Sequence, residues 1–514
     1  MGLLTLFSAW YLVFGVITAY EYPSNPCADL ALILPNSTFF PTTPTYNASI
    51  HSYPFLQLRL HPSCIIRPSS AKDVSTAITT LLQNNNTKFA IRSGGHNANA
   101  GFNNIDGGVT IDMQSMNKVE VARGDQVVAV EAGALWQNVY DKAEKRNLTV
   151  LGGRIGVVGT AGFLTGGKCT LLLVVQLRQK TDQHRPGGIS FFSPERGWAC
   201  DGVINFEVVL ASGNIINANA TSHSDLFVAL KGGQSNFGVV TRFDLKAFSA
   251  GPIYGGRIVF GANATTPLLS AYTELKLGEY DPYAAGWVTV RYNHTAATFT
   301  PVSIMWGTRP PKLSTLRSIV EVKPQVMNGM IEAPISEHTR NASRQVAANP
   351  QRTVWATTSF SISSTIIHRI HSLWKDVVPG IAAQYAYAKP IAEITFQALP
   401  APPRNGTAPN SLGFGPDETP EKDLVFLQII FTFEDAAATD GFEEALKDSV
   451  RLIEGLTKEE GVFHPYKYLN FAASFQDPLA SYGGIELRRM KKVARKYDPT
   501  GVFQTQVPGG FKLF

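Results

Sequence analysis

A chain of 514 residues is too long for a single hydrophobic core, so at least two domains are expected. Hydrophobic residues make up 44% of the chain and charged residues 17%, a balance typical of a folded globular protein. The formal net charge of +5 is not concentrated in a lysine- or arginine-rich block, so the sequence lacks the basic stripe expected of a nucleic-acid-binding protein.

The chain begins with an apolar run from Leu3 to Ile17, followed by Thr18 and Ala19, which predicts a secretory signal peptide over residues 1–19. A membrane anchor is the alternative, but the run is shorter than the roughly 20 apolar residues that a spanning helix needs, and we expect no stable membrane span. Sequons spread over the chain agree with secretion and predict N-glycans. Their asparagines are Asn36, Asn47, Asn85, Asn147, Asn219, Asn263, Asn293, Asn341 and Asn405.

The four cysteines are Cys27, Cys64, Cys169 and Cys200. In an oxidising compartment Cys27 and Cys64 can form a disulfide that ties the mature amino end to the first strand. Cys200 enters an apolar strand and is predicted to be a buried structural thiol. No C-x-x-C spacing occurs, so the sequence gives little support for a zinc site, and we expect no metal.

Predicted elements begin after a segment at 20–59 that is rich in Pro, Ser, Thr and Asn and predicts an irregular lead-in. A βαβ-like unit follows, with a strand at 64–66, a helix capped by Ser70 and a strand at 88–92. Further elements are predicted as strands at 109–111, 127–130 and 203–210 and a helix at 136–146. We assign these elements to a first domain over residues 60–248.

The pattern changes over residues 249–465, where long strand-like runs alternate with helical patterns. The strands are predicted at 287–292 and 424–433, the helices at 364–378 and 441–455, and a Pro-rich loop at 399–420. This organisation predicts an α+β second domain. The final segment, 466–514, is turn-rich and contains a basic helix near 485–496.

The strongest local signal is Arg92-Ser93-Gly94-Gly95-His96, followed by Gly101. Two glycines directly after a strand allow backbone N–H groups to approach a pyrophosphate closely. Glycines alone would fit any nucleotide loop, but the adjacent histidine is more specific. Its imidazole is a competent nucleophile toward an electrophilic cofactor carbon.

The chain resembles the fungal branch of the berberine bridge enzyme-like FAD-linked oxidoreductases, in the vanillyl-alcohol oxidase superfamily. The matching segments are HPSCIIRPSSAKDVS, RSGGHNANAG, GGVTIDMQSMNKV, GGRIGVVGTAG, SFFSPERGWACDGVINFEVVLASG, LFVALKGGQSNFGVVTRFDL and KYDPTGVFQTQVPGGFKL. The resemblance implies an α+β, two-domain fold with a PCMH-type FAD-binding domain. It also implies a substrate domain built on an antiparallel sheet covered by helices, and a final segment that returns to the FAD domain.

The resemblance implies that His96 bonds covalently to the 8α carbon of FAD. The expected cofactor-binding residues are Arg92, Ser93, Gly94, Gly95, His96, Gly101, Val158, Gly159, Gly162, Asn236, Phe237 and Gly238. Many relatives have a second link through a cysteine at the position of Ile155, which cannot form a thioether, so a single attachment is expected. Valine at position 158 resembles oxidases, which favours O2 as the electron acceptor.

The resemblance implies a catalytic base from the substrate domain or from an Asn-Tyr pair near the carboxyl end, where this chain has Tyr468-Leu469-Asn470-Phe471. Phe471 cannot accept a proton, so the candidates for the base are Tyr468 and Tyr482. Asn470 is expected to hydrogen-bond the flavin or the substrate. Core packing is the alternative role for each of these aromatic residues.

The segment 168–187 interrupts a junction that runs straight through in the family. We hypothesise that it is a translated intron, because Gly167-Lys168-Cys169 can encode a splice donor and Pro186-Gly187 an acceptor. A genuine surface loop is the alternative, since folded chains tolerate long loops.

Together these features predict a secreted oxidase that transfers hydride from a small organic substrate, such as a secondary metabolite, to FAD. The alternatives are a dehydrogenase with another acceptor, a carbohydrate oxidase, and a non-catalytic secreted glycoprotein of the same fold. The sequence determines neither the substrate nor the oligomeric state.

Overall fold

The computed structural model describes residues 25–84, 87–122, 124–166, 188–279, 281–309, 316–346, 351–399 and 424–514. The predicted signal peptide, the segment 168–187 with Cys169, and almost all of the predicted Pro-rich loop lie outside these residues, as do Asn85 and Asn405. Within the described ranges, no helix combines the length and the apolar character needed to cross a membrane.

The amino-terminal segment is more regular than predicted, because it contains helices α1 (Pro26–Ile33) and α2 (Pro44–His51). The Asn25 side chain accepts hydrogen bonds from the first turn of α1, and Thr43 does the same for α2. Each cap is followed by proline at the start of the helix, where its missing N–H costs nothing. The prediction of irregular structure was wrong over these two stretches, because proline was interpreted only as a breaker.

The first region, up to residue 249, contains three small sheets. Its strands are β1 (Thr38–Phe39), β2 (Cys64–Ile66), β3 (Phe89–Arg92), β4 (Val109–Asp112), β5 (Val119–Ala122), β6 (Val127–Glu131), β7 (Leu148–Thr149), β8 (Val203–Val209), β9 (Ile215–Asn219), β10 (Val239–Lys246) and β11 (Phe248–Ser249). Its further helices are α3 (Ala71–Gln83), α4 (Trp136–Ala143), α5 (Thr160–Thr165), α6 (Ser193–Arg196) and α7 (Ser224–Leu230).

The sheet orders of this region are β1-β2-β4-β3, β5-β6-β10-β8-β9 and β11-β7. Strands β2 and β3 both pair with β4 in parallel, and α3 connects them, so the predicted βαβ unit is present. Ser70 caps α3 as predicted. A disulfide joins Cys27 to Cys64 at the start of this unit, and Cys200 is buried, both as predicted.

The second region is built on one antiparallel sheet of nine strands. The strands are β12 (Ile253–Phe260), β13 (Ala284–Asn293), β14 (Thr298–Gly307), β15 (Gln325–Asn328), β16 (Ile331–Ala333), β17 (Arg352–Ser361), β18 (Ile391–Leu399), β19 (Leu424–Phe433) and β20 (Phe463–His464). The helices are α8 (Thr265–Leu277), α9 (Arg317–Val320), α10 (Ile335–Val346), α11 (Ser364–Gln384) and α12 (Thr439–Glu459). The order is β15-β12-β14-β13-β18-β19-β17-β20, with β16 also on β12.

The two faces of this sheet differ because successive side chains of a strand point to opposite sides. Val288, Val290, Ile394 and Phe396 belong to the apolar core shared with α8, α11 and α12. The intervening positions, such as Thr289, carry polar groups and face the first region. The polar face of the sheet is therefore turned toward the first region.

The carboxyl-terminal segment packs into the core of the first region. It contains helices α13 (Gly484–Tyr497) and α14 (Val502–Thr505). The Tyr497 hydroxyl donates to Asp225 at 2.8 Å, and the Gln504 side-chain amide donates to the Asn236 side chain at 2.9 Å. The chain end therefore helps to assemble the wall that carries the glycine-rich loop.

Candidate active site

A cavity of about 790 Å³ separates the polar face of the large sheet from the first region. We call it the central cavity. Its first-region wall includes Phe55, Ser93, Gly94, Gly95, His96, Arg154, Ile155, Val158, Gly159, Gly162, Gln234, Ser235 and Gly238. Its sheet wall includes Arg257, Trp287, Thr289, Arg291, Thr353, Trp355, Glu393, Thr395, Gln397, Gln428 and Thr432. The carboxyl-terminal segment adds Tyr468, Asn470, Phe471 and Gly510.

Strand β3 delivers the glycine-rich loop to the cavity wall. Gly95 has φ +71°, a conformation that favours glycine, and a Cβ there would lie 2.9 Å from the Tyr53 ring. The Ser93 hydroxyl donates to the Ala132 carbonyl at 2.6 Å. Backbone geometry therefore holds the loop against the cavity.

Arg92, which was predicted to bind the cofactor, is not among the residues that line the cavity and lies behind this loop. Its side chain is fully buried, 3.6 Å from the Asp112 carboxylate, and its guanidinium stacks 3.6 Å from the centre of the Tyr53 ring. It also donates to the Ser49 carbonyl at 2.7 Å. These contacts use the guanidinium internally, so Arg92 supports the loop from within the core.

His96 faces the cavity, with the Phe55 ring 5.5 Å away between ring centres. Burial lowers the pKa of His96 to about 4, so the imidazole is neutral at physiological pH. No hydrogen bond to this ring occurs within the described part of the chain. A neutral ring nitrogen with a lone pair therefore lies on the cavity wall.

A second glycine segment meets the loop at closest approach. A Cβ on Gly94 would lie 2.5 Å from the backbone nitrogen of Gly159, and a Cβ on Gly159 would lie 2.3 Å from that of Gly94. Val158 and Gly162 continue this wall, and a Cβ on Gly162 would meet no atom within 4 Å. The two backbones pack so closely that a side chain on either glycine would clash with the other. We call this contact between Gly94 and Gly159 the glycine cradle.

The remaining predicted cofactor residues are divided between the cavity and its support. Gly238 lines the cavity, whereas the buried Asn236 and Phe237 do not, and neither does Gly101. The Asn236 amide donates to the Phe511 carbonyl at 2.8 Å. Asn236 thus anchors the carboxyl end behind the wall and is not placed to contact a ligand in the cavity.

Of the three candidate catalytic residues, Tyr468 and Asn470 line the cavity and Tyr482 does not. The Asn470 amide donates to the Tyr468 hydroxyl at 3.2 Å. Burial raises the pKa of Tyr468 to about 12, although Asn470 and the charge of Arg154 act against this rise. Tyr482 is buried in the core, which places it out of reach of a substrate in the cavity.

Sequence reasoning missed Arg154 and the polar sheet face. Arg154 donates through Nη2 to the Gln397 side chain at 3.0 Å, and its guanidinium lies 4.4 Å from the centre of the Trp287 ring. The available signals were its place in the motif GGRIGVVGTAG and the alternation of Trp287, Thr289 and Arg291 along one strand.

Comparison with known proteins agrees with this geometry. Residues 62–172 match a family model described as an FAD binding domain. The chain is 31% identical to the FAD-dependent monooxygenase drtC of Aspergillus calidoustus over 479 residues, which cover 91% of this chain and 86% of that protein.

Solved structures share the fold at low sequence identity. The 6-hydroxy-D-nicotine oxidase of Arthrobacter nicotinovorans superposes with a TM-score of 0.72 at 19% identity, covering 93% of this chain and 97% of the other. The glucooligosaccharide oxidase of Acremonium strictum superposes with a TM-score of 0.70 at 17% identity, covering 95% of this chain and 100% of the other.

Proposed function

We propose, on the premise that this chain belongs to the berberine bridge enzyme-like FAD-linked oxidoreductases, that it oxidises a small secondary metabolite and uses O2 as the electron acceptor. The observation that carries this proposal is the central cavity. It has a glycine cradle and a neutral imidazole on one wall, polar strand residues on the other, and a tyrosine supplied by the carboxyl-terminal segment.

The residues of the first wall fit FAD. Gly94 and Gly159 both line the cavity and their backbones touch, so this part of the wall is built from backbone without side chains, which suits a pyrophosphate bound by N–H groups. We propose that His96 forms a covalent bond to the flavin, because its unprotonated ring faces the cavity. The glucooligosaccharide oxidase neighbour is described with a 6-S-cysteinyl, 8α-N1-histidyl FAD. Ile155 lines the cavity here and offers no thiol, which supports a single link.

FAD held in this cavity would supply a hydride acceptor and, once reduced, a donor of electrons to O2. We propose that Tyr468 receives the substrate proton and that Asn470 holds its hydroxyl in place through the 3.2 Å hydrogen bond. Because the pKa of Tyr468 is about 12, only its small ionised fraction can act as base at neutral pH. The rate should therefore rise with pH, and Tyr468→Phe should lower kcat about 10²- to 10⁴-fold and abolish that rise. A variant with the parental pH profile would exclude Tyr468.

The direct test of the cofactor link is acid precipitation of the purified protein. Flavin should remain in the pellet for the parent and be absent for His96→Ala. His61→Ala is the matched control, because His61 is a solvent-exposed histidine with 80% of its side chain accessible. A colourless parent protein would favour the non-catalytic alternative. Oxygen uptake and peroxide formation during turnover would separate an oxidase from a dehydrogenase.

Monooxygenation is a second candidate, because the curated relatives are named FAD-dependent monooxygenases. The two reactions differ in the destination of the oxygen atoms. An oxidase releases both atoms as hydrogen peroxide, whereas a monooxygenase places one in the product and the other in water. Turnover under ¹⁸O2 therefore distinguishes them, with label in the organic product supporting monooxygenation.

We also propose that the protein is secreted and N-glycosylated. The leader and the sequons support this proposal, and the disulfide between Cys27 and Cys64 is typical of an oxidising compartment. Loss of residues 1–19 from the exported protein and a mass decrease on glycosidase treatment would test it. An intracellular protein of unprocessed mass would contradict it.

The segment 168–187 is proposed to be a translated intron. Transcript sequencing across codons 166–190 tests this hypothesis. A major message without the segment supports it, and a major message that retains the segment contradicts it.

A further inference from the structure

The central cavity carries an excess of positive charge. Among its described lining residues, the charged side chains that persist at neutral pH are Arg154, Arg257, Arg291 and Glu393, with no lysine or aspartate. Glu393 is already used, because it forms an ion pair with Arg291 on the neighbouring strand. Within the described ranges, Arg154 and Arg257 therefore form no ion pair with a carboxylate, and a cavity with this excess of positive charge concentrates anions.

Arg154 is the more deeply placed of these two cations. Nη2 donates to Gln397, and the guanidinium plane is held against Trp287. Nη1 is buried and has no hydrogen-bond partner within the described residues. A guanidinium carries five N–H donors and cannot shed its charge, so a buried, unpaired nitrogen is costly unless a ligand satisfies it. The neutral amide of Gln397 orients Arg154 without neutralising it.

Arg257 lies on the sheet wall of the same cavity. No hydrogen bond or salt bridge involves its side chain within the described part of the chain. Burial and the neighbouring Arg291 lower the pKa of Arg257, and the nearby charge of Glu393 opposes this change without cancelling it. Arg257, on strand β12, is therefore a second positive group that lines the cavity.

The cofactor's pyrophosphate is a competing partner for these arginines. In the proposed function it lies against the cradle of Gly94 and Gly159, where backbone N–H groups supply the donors. Arg154 instead contacts Gln397 and Trp287 of the large sheet. Although Arg154 belongs to the first-region wall, its guanidinium therefore lies against the sheet wall, which is the wall left for the substrate.

We propose that Arg154 binds an oxyanion of the substrate. The proposed substrate is a planar aromatic molecule that carries a carboxylate or an ionised phenol. The aromatic character follows from Trp287, Trp355 and Phe471, whose rings line the same cavity. This inference rests on the proposed function for its choice of occupant. Charge-assisted hydrogen bonds of a guanidinium to an oxyanion give selectivity against neutral analogues.

The test is calorimetric titration of the purified holoprotein with 2-naphthoate and with its neutral isostere 2-naphthamide. The carboxylate should bind about ten- to a hundredfold more tightly, the range expected for hydrogen bonds to charged groups. Arg154→Gln should bring the two affinities close together. Arg317→Gln is the control, because Arg317 is 68% exposed and absent from the cavity lining, and it should leave the ratio unchanged.

A second variant guards against misfolding of Arg154→Gln. Gln397→Glu places a carboxylate next to Nη2 with almost no change of shape, and it should also abolish the preference. Titration with 4-nitrophenol against nitrobenzene identifies the source of the oxyanion, because preference for the phenol indicates an ionised phenol.

The outcomes are separable from those of the proposed function. Equal binding of both members of each pair, or a preference that survives in Arg154→Gln, would overturn the inference. Loss of flavin from Arg154→Gln with unchanged selectivity would also overturn it, since Arg154 would then serve the cofactor. A colourless parent that still selects the carboxylate would instead refute the flavin-dependent function and leave the anion site standing.

Discussion

The two walls of the central cavity are built by different means. The first-region wall depends on backbone geometry, with Gly95 at positive φ and Gly94 in direct contact with Gly159. The sheet wall depends on side chains, with a row of Thr, Gln, Arg and Trp residues on adjacent extended strands. The first wall should therefore tolerate almost no substitution at its glycines, whereas the second should exchange side chains with local, graded effects. Under the proposed function, this contrast would separate residues that hold the cofactor from residues that select the substrate.

The strongest challenge to this contrast is Gly94→Ala. The added Cβ would lie 2.5 Å from backbone, which cannot rotate away, so we expect loss of bound flavin and destabilisation by about 3 kcal/mol or more. Gly455→Ala is the matched control, since its Cβ meets no atom within 4 Å and it lies inside helix α12. That control should stabilise the protein by about 0.5–1 kcal/mol. Flavin absorbance and thermal unfolding measure both, and a Gly94→Ala protein that keeps its flavin would contradict the cradle.

The next effect concerns the support behind the loop. Arg92→Met leaves the fully buried Asp112 without its 3.6 Å partner and should cost about 3–5 kcal/mol in unfolding free energy. The double variant Arg92→Met/Asp112→Leu should recover part of that loss, because no uncompensated charge remains. Denaturant unfolding of the parent, the single variant and the double variant measures the difference. A single variant as stable as the parent would show that the pair does not support the wall.

An intermediate effect should appear as a dependence of stability on pH. The pKa of His96 is lowered from 6.5 to about 4 by burial, so the unfolded chain binds more protons between these values. Stability should therefore fall as pH drops from about 6.5 to about 4, with no contribution from His96 above that window. Measured on flavin-free protein, in which the His96 ring is unmodified, His96→Ala should flatten the thermal stability profile in this range, and the exposed His61→Ala should not. An unchanged slope in His96→Ala would mean that other groups, such as His371, control the window.

The smallest effect is expected on the sheet wall. The Thr289 and Thr395 hydroxyls are 2.7 Å apart across two strands, and Thr289→Val removes this hydrogen bond while keeping the shape. Stability should fall by about 1 kcal/mol, with flavin content unchanged and only KM altered. Parallel measurement of KM, kcat and flavin absorbance tests this. Loss of flavin from Thr289→Val would contradict the prediction, because a side chain of the sheet wall would then be needed to hold the cofactor.

Much of the first-region wall could be predicted from the sequence. The glycine pair and His96 follow a short strand directly, and local chain geometry determines where such residues lie. Seven strands and α3 with its Ser70 cap were predicted for similar local reasons, whereas the disulfide, which joins cysteines 37 residues apart, was expected from the oxidising compartment that the leader implies. The lead-in helices were missed because Pro26 and Pro44 were taken as breakers, although each stands at a helix start. Arg92 shows the limit even within a motif, since its neighbours do not reveal that its partner is Asp112.

The sheet wall shows what the tertiary structure alone decides. Alternation along 284–293 is compatible with either face being buried, and nothing local specifies which face meets the flavin loop. Arg154 meets Gln397, 243 residues away, only because the large sheet closes over the first region. Likewise Tyr468 lines the cavity and Tyr482 does not, although both lie in one short segment. By itself the sequence indicated the family through its resemblance, the glycine-rich loop, and seven of the twenty strands found in the described ranges, because short-range patterns were enough for these. The sheet wall depends on contacts between strands that are distant in sequence, and only the folded chain brings those strands together.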